Sequence, residues 1–347
     1  MRLAIQKDEV THKNGEYQSY SKRWEAMASE QDISITWVNV HTEEAISQIA
    51  DCDGFMWRSS PGAYPRLLAK RLMPAIEYGC RIPVFPNWKT LWYSEDKIAQ
   101  SFLLKAAELP IPKTYIFWNY SETRRFIDEA GYPFILKLYS GYQSRNVRLL
   151  KSKEEAGFYA NLLFNGAITS LNARPNGGYW PILRNVKDVI HGKSLCNPTQ
   201  DEDVHYNYFY AQEFLENNDF DTRITVIGTR VFAFRRFNRP NDFRASGSGK
   251  IDWDPSKIDE KLVRLAFKTA RALDVQVVAI DVLRRGGVPV IGELTLSFAS
   301  WAVRDCPGHW VLEGEPDTGS LRWVAGELRP EDVIFEDFVS DVRRCSS

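Results

Sequence analysis

The stretch that most limits what this chain can become is residues 208–250, YFYAQEFLENNDFDTRITVIGTRVFAFRRFNRPNDFRASGSGK. Its opening aromatic and apolar run reads as a buried strand. The run breaks at Asn217, Asn218 and Asp219, residue types that favour tight turns. Two more strand-like runs, TRITVIG and RVFAFRRF, meet at the turn signal Gly228-Thr229. Strand side chains alternate between faces, so Val231, Ala233 and Arg235 share one side and Phe232, Phe234 and Arg236 the other. Such a hairpin brings Arg223, Arg235, Arg236, Arg239 and Arg244 close together ahead of a small ASGSG loop. Cations so crowded call for an anion among them. A solvated basic hairpin paired with surface acids is the plainer alternative.

The remainder of the 347 residues allows two or three compact units. A net charge of −1 and 44% hydrophobic content describe a soluble globular protein, and argue against a non-specific nucleic-acid binder. Cysteines at 52, 80, 196, 306 and 345 form no CxxC pair and no zinc-like spacing, which fits a reducing compartment. No apolar run approaches the ~18 residues of a membrane span, and the first residues lack a signal-peptide core. The expected location is cytoplasmic, with no membrane partner.

In chain order, the first 93 residues alternate strand and helix, as in a small parallel α/β domain. Ligands of such units gather beyond the carboxyl ends of the strands. Arg58 stands at one such end, while Ser19, Ser21 and Arg23 stand at the start of the first helix, so these are candidate substrate contacts. Ordinary caps and loops are the competing reading. From residue 94, SEDKIAQSFLLKAAELP reads as a helix capped by Ser94 and ended by Pro110. Lys137 lies inside the apolar strand FILKLY, a costly place without an anionic partner. The following polar loop, SGYQSRN, can turn amide groups toward an anion. Residues 165–207, rich in Gly, Pro and Asn, form an insertion too long for a plain connection, either a lid or a flexible segment.

Further on, VQVVAIDVLRR and VPVIGELTL flank Gly286-Gly287 and read as an antiparallel hairpin. Pairing about that turn places Asp281 and Glu293 within a residue or two of each other. Two acids in facing strands repel unless a cation lies between them, and hard oxygen ligands imply Mg2+. Two independently hydrogen-bonded acids are the alternative. Lysines, a polar loop, paired acids and arginines together suit a nucleoside triphosphate with Mg2+.

These elements, in this order, resemble the ATP-grasp superfamily, in particular its ribosomal-protein glutamate ligase and glutathione synthetase branch. The resemblance covers residues 94–302. It is carried by SEDKIAQSFLLKAAELPIPKT, FILKLYSGYQSRNV, AQEFLENNDFDTRITVIGTRVFAFRR, NDFRASGSG and AIDVLRRGGVPVIGELTLSF. It implies an α/β protein in which an N-terminal domain (1–93) precedes a two-subdomain ATP-grasp domain (94–310, divided about 94–206 and 207–310) and a C-terminal extension (311–347). It also implies that Lys97, Lys137 and the loop from Ser140 to Asn146 hold ATP phosphates. Gln212, Glu213, Phe214 and Leu215 would hold adenine, and Asp219 the ribose. Asp281, Glu293 and Thr295 would bind Mg2+, while Arg223, Arg235 and Arg244 face phosphate, substrate carboxylate or acyl phosphate. Arg236 and Ser246 are further substrate candidates.

The chain departs from the family pattern at three places. Thr295 stands where asparagine is common, Ser144, Arg145 and Asn146 replace loop glycines, and Ser246 replaces an asparagine. The implied reaction joins a small-molecule carboxylate to an amine or thiol through an acyl phosphate. A kinase acting on a hydroxyl and a nucleotide-binding module without catalysis are the alternatives. The whole chain, including SYSKRW and CPGHW, is also similar to uncharacterised ATP-grasp proteins of surface-polysaccharide gene clusters, which implies amidation of a sugar acid or a similar decorating step.

Overall fold

The computed structural model describes residues 1–8, 19–141, 146–171 and 203–345. Ser144, Arg145 and most of the candidate lid, including residues 179–193, lie outside the described residues. Contacts divide the chain into two compact units, one of residues 1–61, 65–94 and 219–347, the other of residues 62–64 and 95–218.

The first unit begins with strands β1 (Arg2–Gln6), β2 (Ser34–Val38), β3 (Gly54–Met56) and β4 (Val84–Phe85), which form a parallel sheet in the order β2-β1-β3-β4. Helices α1 (Tyr20–Glu30), α2 (Ala45–Ala50), α3 (Ala63–Pro74) and α4 (Trp88–Leu91) alternate with or follow these strands. The parallel α/β expectation holds, for a physical reason visible in β1. Leu3 and Ile5 are buried in one core while Ala4, pointing the other way, is buried in a second. A strand covered on both faces has no polar alternation to keep. Of the two serines considered as cap for α1, Ser19 does the work, its Oγ accepting from the Lys22 amide at 3.2 Å.

The second unit holds α5 (Lys97–Ala106), β5 (Thr114–Phe117), α6 (Tyr120–Glu129), β6 (Phe134–Lys137), β7 (Val147–Leu150), α7 (Lys153–Asn165) and β8 (Phe209–Glu213). Its four strands pair antiparallel in the order β5-β8-β6-β7. Two expectations about α5 need correction. The cap is Asp96, whose Oδ1 accepts from the amides of Ile98 and Ala99 at 3.1 and 2.9 Å; Ser94 lies too far upstream to reach them. The helix also ends before Pro110, where Glu108 takes a left-handed φ of 54° and Leu109 bonds back to the Leu104 carbonyl.

The first unit resumes with β9 (Phe220–Ile227), β10 (Arg230–Phe237), β11 (Ile251–Asp252), α8 (Glu260–Leu273), β12 (Val277–Arg285), β13 (Val288–Thr295), α9 (Ser300–Arg304), β14 (Gly308–Glu313), β15 (Ser320–Ala325) and α10 (Pro330–Cys345). The sheet order is β13-β12-β9-β10-β14-β15, with β11 beside β10. Ile227, Phe232, Phe234 and Val277 of this sheet share one core with Leu3, Ile5, Trp24 and Met27 and with Phe335, Phe338 and Val342 of α10. Ile224, Val226, Val231, Ala233, Val278 and Ile280 are buried on the opposite face. Among the described residues, no helix is long and apolar enough to cross a membrane.

Where α10 meets α1, the Trp24 indole donates to the Glu331 carbonyl at 3.0 Å. Burial raises the Glu331 carboxyl above its ordinary range, and its Oε2 has no hydrogen-bond partner. An acid raised in this way stabilises the fold while protonated, and that contribution is lost as pH rises through the raised value. Glu331→Gln is therefore expected to raise the thermal midpoint at about pH 8, with the gain shrinking toward about pH 4.5. Melting curves at both pH values check this.

Candidate active site

The centre of the larger sheet carries a charged end. The β9–β10 register pairs Asp221 with Arg236 and Arg223 with Phe234. The β9–β12 register sets Arg223 opposite Asp281, and β12–β13 sets Asp281 opposite Glu293. Directly opposed residues point to the same side. Asp221, Arg223, Arg236, Asp281 and Glu293 thus share one face, with Thr295 two residues along β13. The apolar end of that same face, at Phe232, Phe234 and Val277, lies in the core. Strict counting from Gly286-Gly287 would set Asp281 opposite Gly292. A register shift between Asp281 and Val282 moves it by one, onto Glu293.

The Arg223 guanidinium forks onto Asp281, its Nε to Oδ1 and its NH2 to Oδ2, the latter at 2.8 Å. Arg236 forks onto Asp221 at 2.8 and 2.6 Å and also reaches Asp281 Oδ2 at 2.8 Å. Asp221 and Arg236 are only 8% and 9% exposed. Burial works against the charge of Arg236, yet Asp281 and Asp221 outweigh it and raise its pKa. Burial also pushes the Asp281 carboxyl upward, but Arg223 and Arg236 outweigh it and hold the group below the usual carboxylate range.

The expected single gathering of arginines needs correction. Arg235 lies on the other face of β10 and pairs with Asp252 of β11. Arg244 bonds Asp242 at 2.6–2.9 Å, and Arg239 donates to the Ser246 carbonyl. Strand alternation separates Arg235 from Arg223 and Arg236, and each pair has an acid supplied by the chain itself. Asp221 was missed in the sequence, although counting from the Gly228-Thr229 turn sets it opposite Arg236.

Asp281, Glu293 and the Thr295 hydroxyl suit Mg2+ bound by one or two carboxylates together with phosphate oxygens and water. They do not make a complete protein cage. Among the described residues no group of three or more acids, histidines or cysteines is placed to hold a metal.

The candidate phosphate contacts all lie in the second unit, Lys137 on its sheet, Lys97 at the start of α5 and Ser140 and Asn146 in the loop after β6. Lys137 of β6 is opposite Tyr210 of β8 and is 9% exposed. Tyr210 bonds Ser101 of α5 at 2.8 Å, one turn beyond the buried Lys97, whose Nζ donates to the Gly141 carbonyl at 3.0 Å. After the loop that follows β6, Asn146 takes a positive φ, 62°, and its side-chain amide donates to the Ser140 carbonyl at 3.1 Å. A buried His205 underlies it, with Nδ1 2.9 Å from the Tyr208 hydroxyl and Nε2 3.5 Å from Ser140 Oγ. The Tyr208 hydroxyl also accepts from the Tyr139 amide at 3.0 Å. No sequence signal pointed to His205. The Gln212 side chain turns inward to Thr114 at 2.9 Å, while the Glu213 amide bonds the Lys113 carbonyl. Phe214 and Leu215 follow half-buried, and the Asp219 carbonyl accepts from Asn238 within the first unit.

Among the N-terminal candidates, Ser19 and Ser21 both donate to the buried Asp8 carboxylate, which also accepts from the Tyr20 amide. Arg23 forks onto Asp332 of α10 at 2.7 Å. Arg58 stacks on the Tyr20 ring at 3.9 Å and lines a recess of about 20 Å3, room for about one water, with Ser59, Ser297 and Phe298.

Residues 193–300 match the family model of the RimK-like ATP-grasp domain. The chain is 25% identical over 201 residues to the alpha-aminoadipate–LysW ligase LysX of Saccharolobus solfataricus, covering 58% of this chain and 60% of that protein. It thus spans less than two thirds of that relative's length. The fold is similar to that of the RimK domain ATP-grasp protein from Sphaerobacter thermophilus, with TM-score 0.52, 17% identity, and 88% and 96% of the two chains covered. It is similar too to D-alanine–D-alanine ligase from Bacillus anthracis complexed with ATP, with TM-score 0.55, 12% identity and 99% of each chain covered. The architecture is an ATP-grasp fold.

Removing one member of a buried ion pair strands its partner, whereas an exposed pair contributes little. Asp221→Ala is expected to cost about 3 kcal/mol of stability, and Arg244→Ala less than about 1 kcal/mol. Thermal and urea denaturation of the two variants checks the contrast.

Proposed function

We propose that this chain is an ATP- and Mg2+-dependent ligase that joins a carboxylate to an amine through an acyl phosphate. The observation that carries this reading is the register that sets Asp281 opposite both Glu293 and Arg223. Two carboxylates beside a guanidinium provide for a cation and an anion in the same place. In this reading Lys97, Lys137 and the loop from Ser140 to Asn146 hold the triphosphate, and the backbone from Gln212 to Leu215 holds adenine. Asp281 and Glu293, with Thr295 as a weak ligand, would hold Mg2+, which would supply positive charge to neutralise the phosphates. Arg223 and Arg236 then hold the anion that accepts the γ-phosphoryl group, where preorganised charge supplies most of the rate.

The carboxylate attacks the γ-phosphorus and ADP leaves. The amine then displaces phosphate from the acyl carbon and gives up its proton, leaving an amide, ADP and phosphate. The similarity to LysX favours a carboxylate borne by an amino acid or a peptide. A sugar acid rests only on the resemblance to proteins of polysaccharide clusters. An intracellular location fits a reaction that consumes ATP.

The test is ADP release screened over amino acids, dicarboxylates and sugar acids, each with and without an amine. Release that needs both is expected. AMP as the nucleotide product, or a stable phosphorylated product resistant to hydroxylamine, would sink the reading. With an active pair in hand, Asp281→Asn and Glu293→Gln are each expected to lower turnover about a hundredfold while leaving the melting curve cooperative.

A further inference from the structure

We infer that Arg223 and Arg236 form an oxyanion site masked by Asp281, so that a divalent cation and an oxyanion unmask the site for one another. A carboxylate offers about four acceptor positions. At Asp281 three are taken, one by Arg223 Nε and two by the NH2 groups of Arg223 and Arg236. A cation at Asp281 must therefore displace a guanidinium or share its oxygen.

The two arginines do not respond alike. Arg236 keeps its two-point bond to Asp221, at 2.8 and 2.6 Å, whatever happens at Asp281. Arg223 has Asp281 as its carboxylate partner, and both side chains are only 13% exposed. As found, the charges of Arg223 and Arg236 are balanced by Asp221 and Asp281. A cation on Asp281 leaves one positive charge in a nearly buried place, where an unpaired charge is costly. A carboxylate or phosphate oxygen at Arg223 removes that cost. The converse holds as well, because an anion that draws Arg223 away frees lone pairs on Asp281 for the metal. By linkage the two affinities rise by the same factor. The site would thus hold an anion weakly without metal and metal weakly without an anion, which disfavours unproductive binding of either alone.

This inference rests on the proposed function only in taking Asp281 as a metal ligand. The experiment uses the full chain in two arms. In the first, Mn2+ alone is titrated and followed by electron paramagnetic resonance. Arg223→Gln is expected to bind it about tenfold more tightly than the wild type, a gain of about 1.4 kcal/mol. In the second, inorganic pyrophosphate is titrated calorimetrically in EDTA. Asp281→Asn is expected to bind it about tenfold more tightly, with the gain lost in the double variant Asp281→Asn/Arg223→Gln.

Unchanged or weaker binding by both single variants overturns the inference, and if Asp281→Asn does not fold, the Mn2+ arm decides. Wild-type chain with ADP and Mn2+ runs in parallel. Binding there without a gain in the variants sinks the masking alone, whereas no binding of ADP sinks the ligase reading.

Discussion

The ion cluster of Asp221, Arg223, Arg236 and Asp281 is the constraint on which the larger sheet depends. Four charges on the central strands β9, β10 and β12 are held almost out of water, where any one of them alone would be prohibitive. They are tolerated because strand register sets each guanidinium against a carboxylate with fork geometry. A slip of one residue would send every one of these side chains to the opposite face. The cluster therefore requires the same pairing of β9 with its two neighbours that the apolar residues require.

The apolar half of the same face gives the charges a fixed base. Phe232, Phe234 and Val277 pack into a core that also takes in Leu3 and Ile5 of the N-terminal sheet, Trp24 of α1 and Phe335 and Phe338 of α10. The N-terminal α/β segment is thereby a structural neighbour of the charged strands within one compact unit. Residues at its strand ends are used partly for that assembly. Ser19 and Ser21 are committed to Asp8 and Arg23 to Asp332, while Arg58, 4.0 Å from the same Asp8 carboxylate, is the one of the four that lines a recess.

Much of this is legible in the amino-acid sequence. Glycine turns at 228 and 286 fixed two hairpins, and alternation along RVFAFRRF assigned Phe232, Phe234 and Arg236 to one face. Asn146 reads as a residue able to take positive φ and does so. Other features were hidden for definite reasons. The register shift after Asp281 has no local sequence signature, yet it decides which residue of β13 the aspartate meets. The Asp96 cap was overlooked because Ser94 belongs to the same class of capping residue, and only the true helix start separates them. His205 carries no motif, and its contacts with Ser140 and Tyr208 arise from segments far apart in the chain.

By itself the sequence determined the alternation of elements, the two hairpins and the closeness of Asp281 and Glu293 to within a residue or two, because turn residues and strand periodicity act locally. The tertiary structure alone decided how the charge is balanced. Whether Arg223 needs an outside anion depends on what lies opposite it in space, and that partner, Asp281, is 58 residues away along the chain. Arg223, Arg235 and Arg236, which pointed to an anion, already hold aspartates, because the sheet brings together strands that the sequence keeps apart.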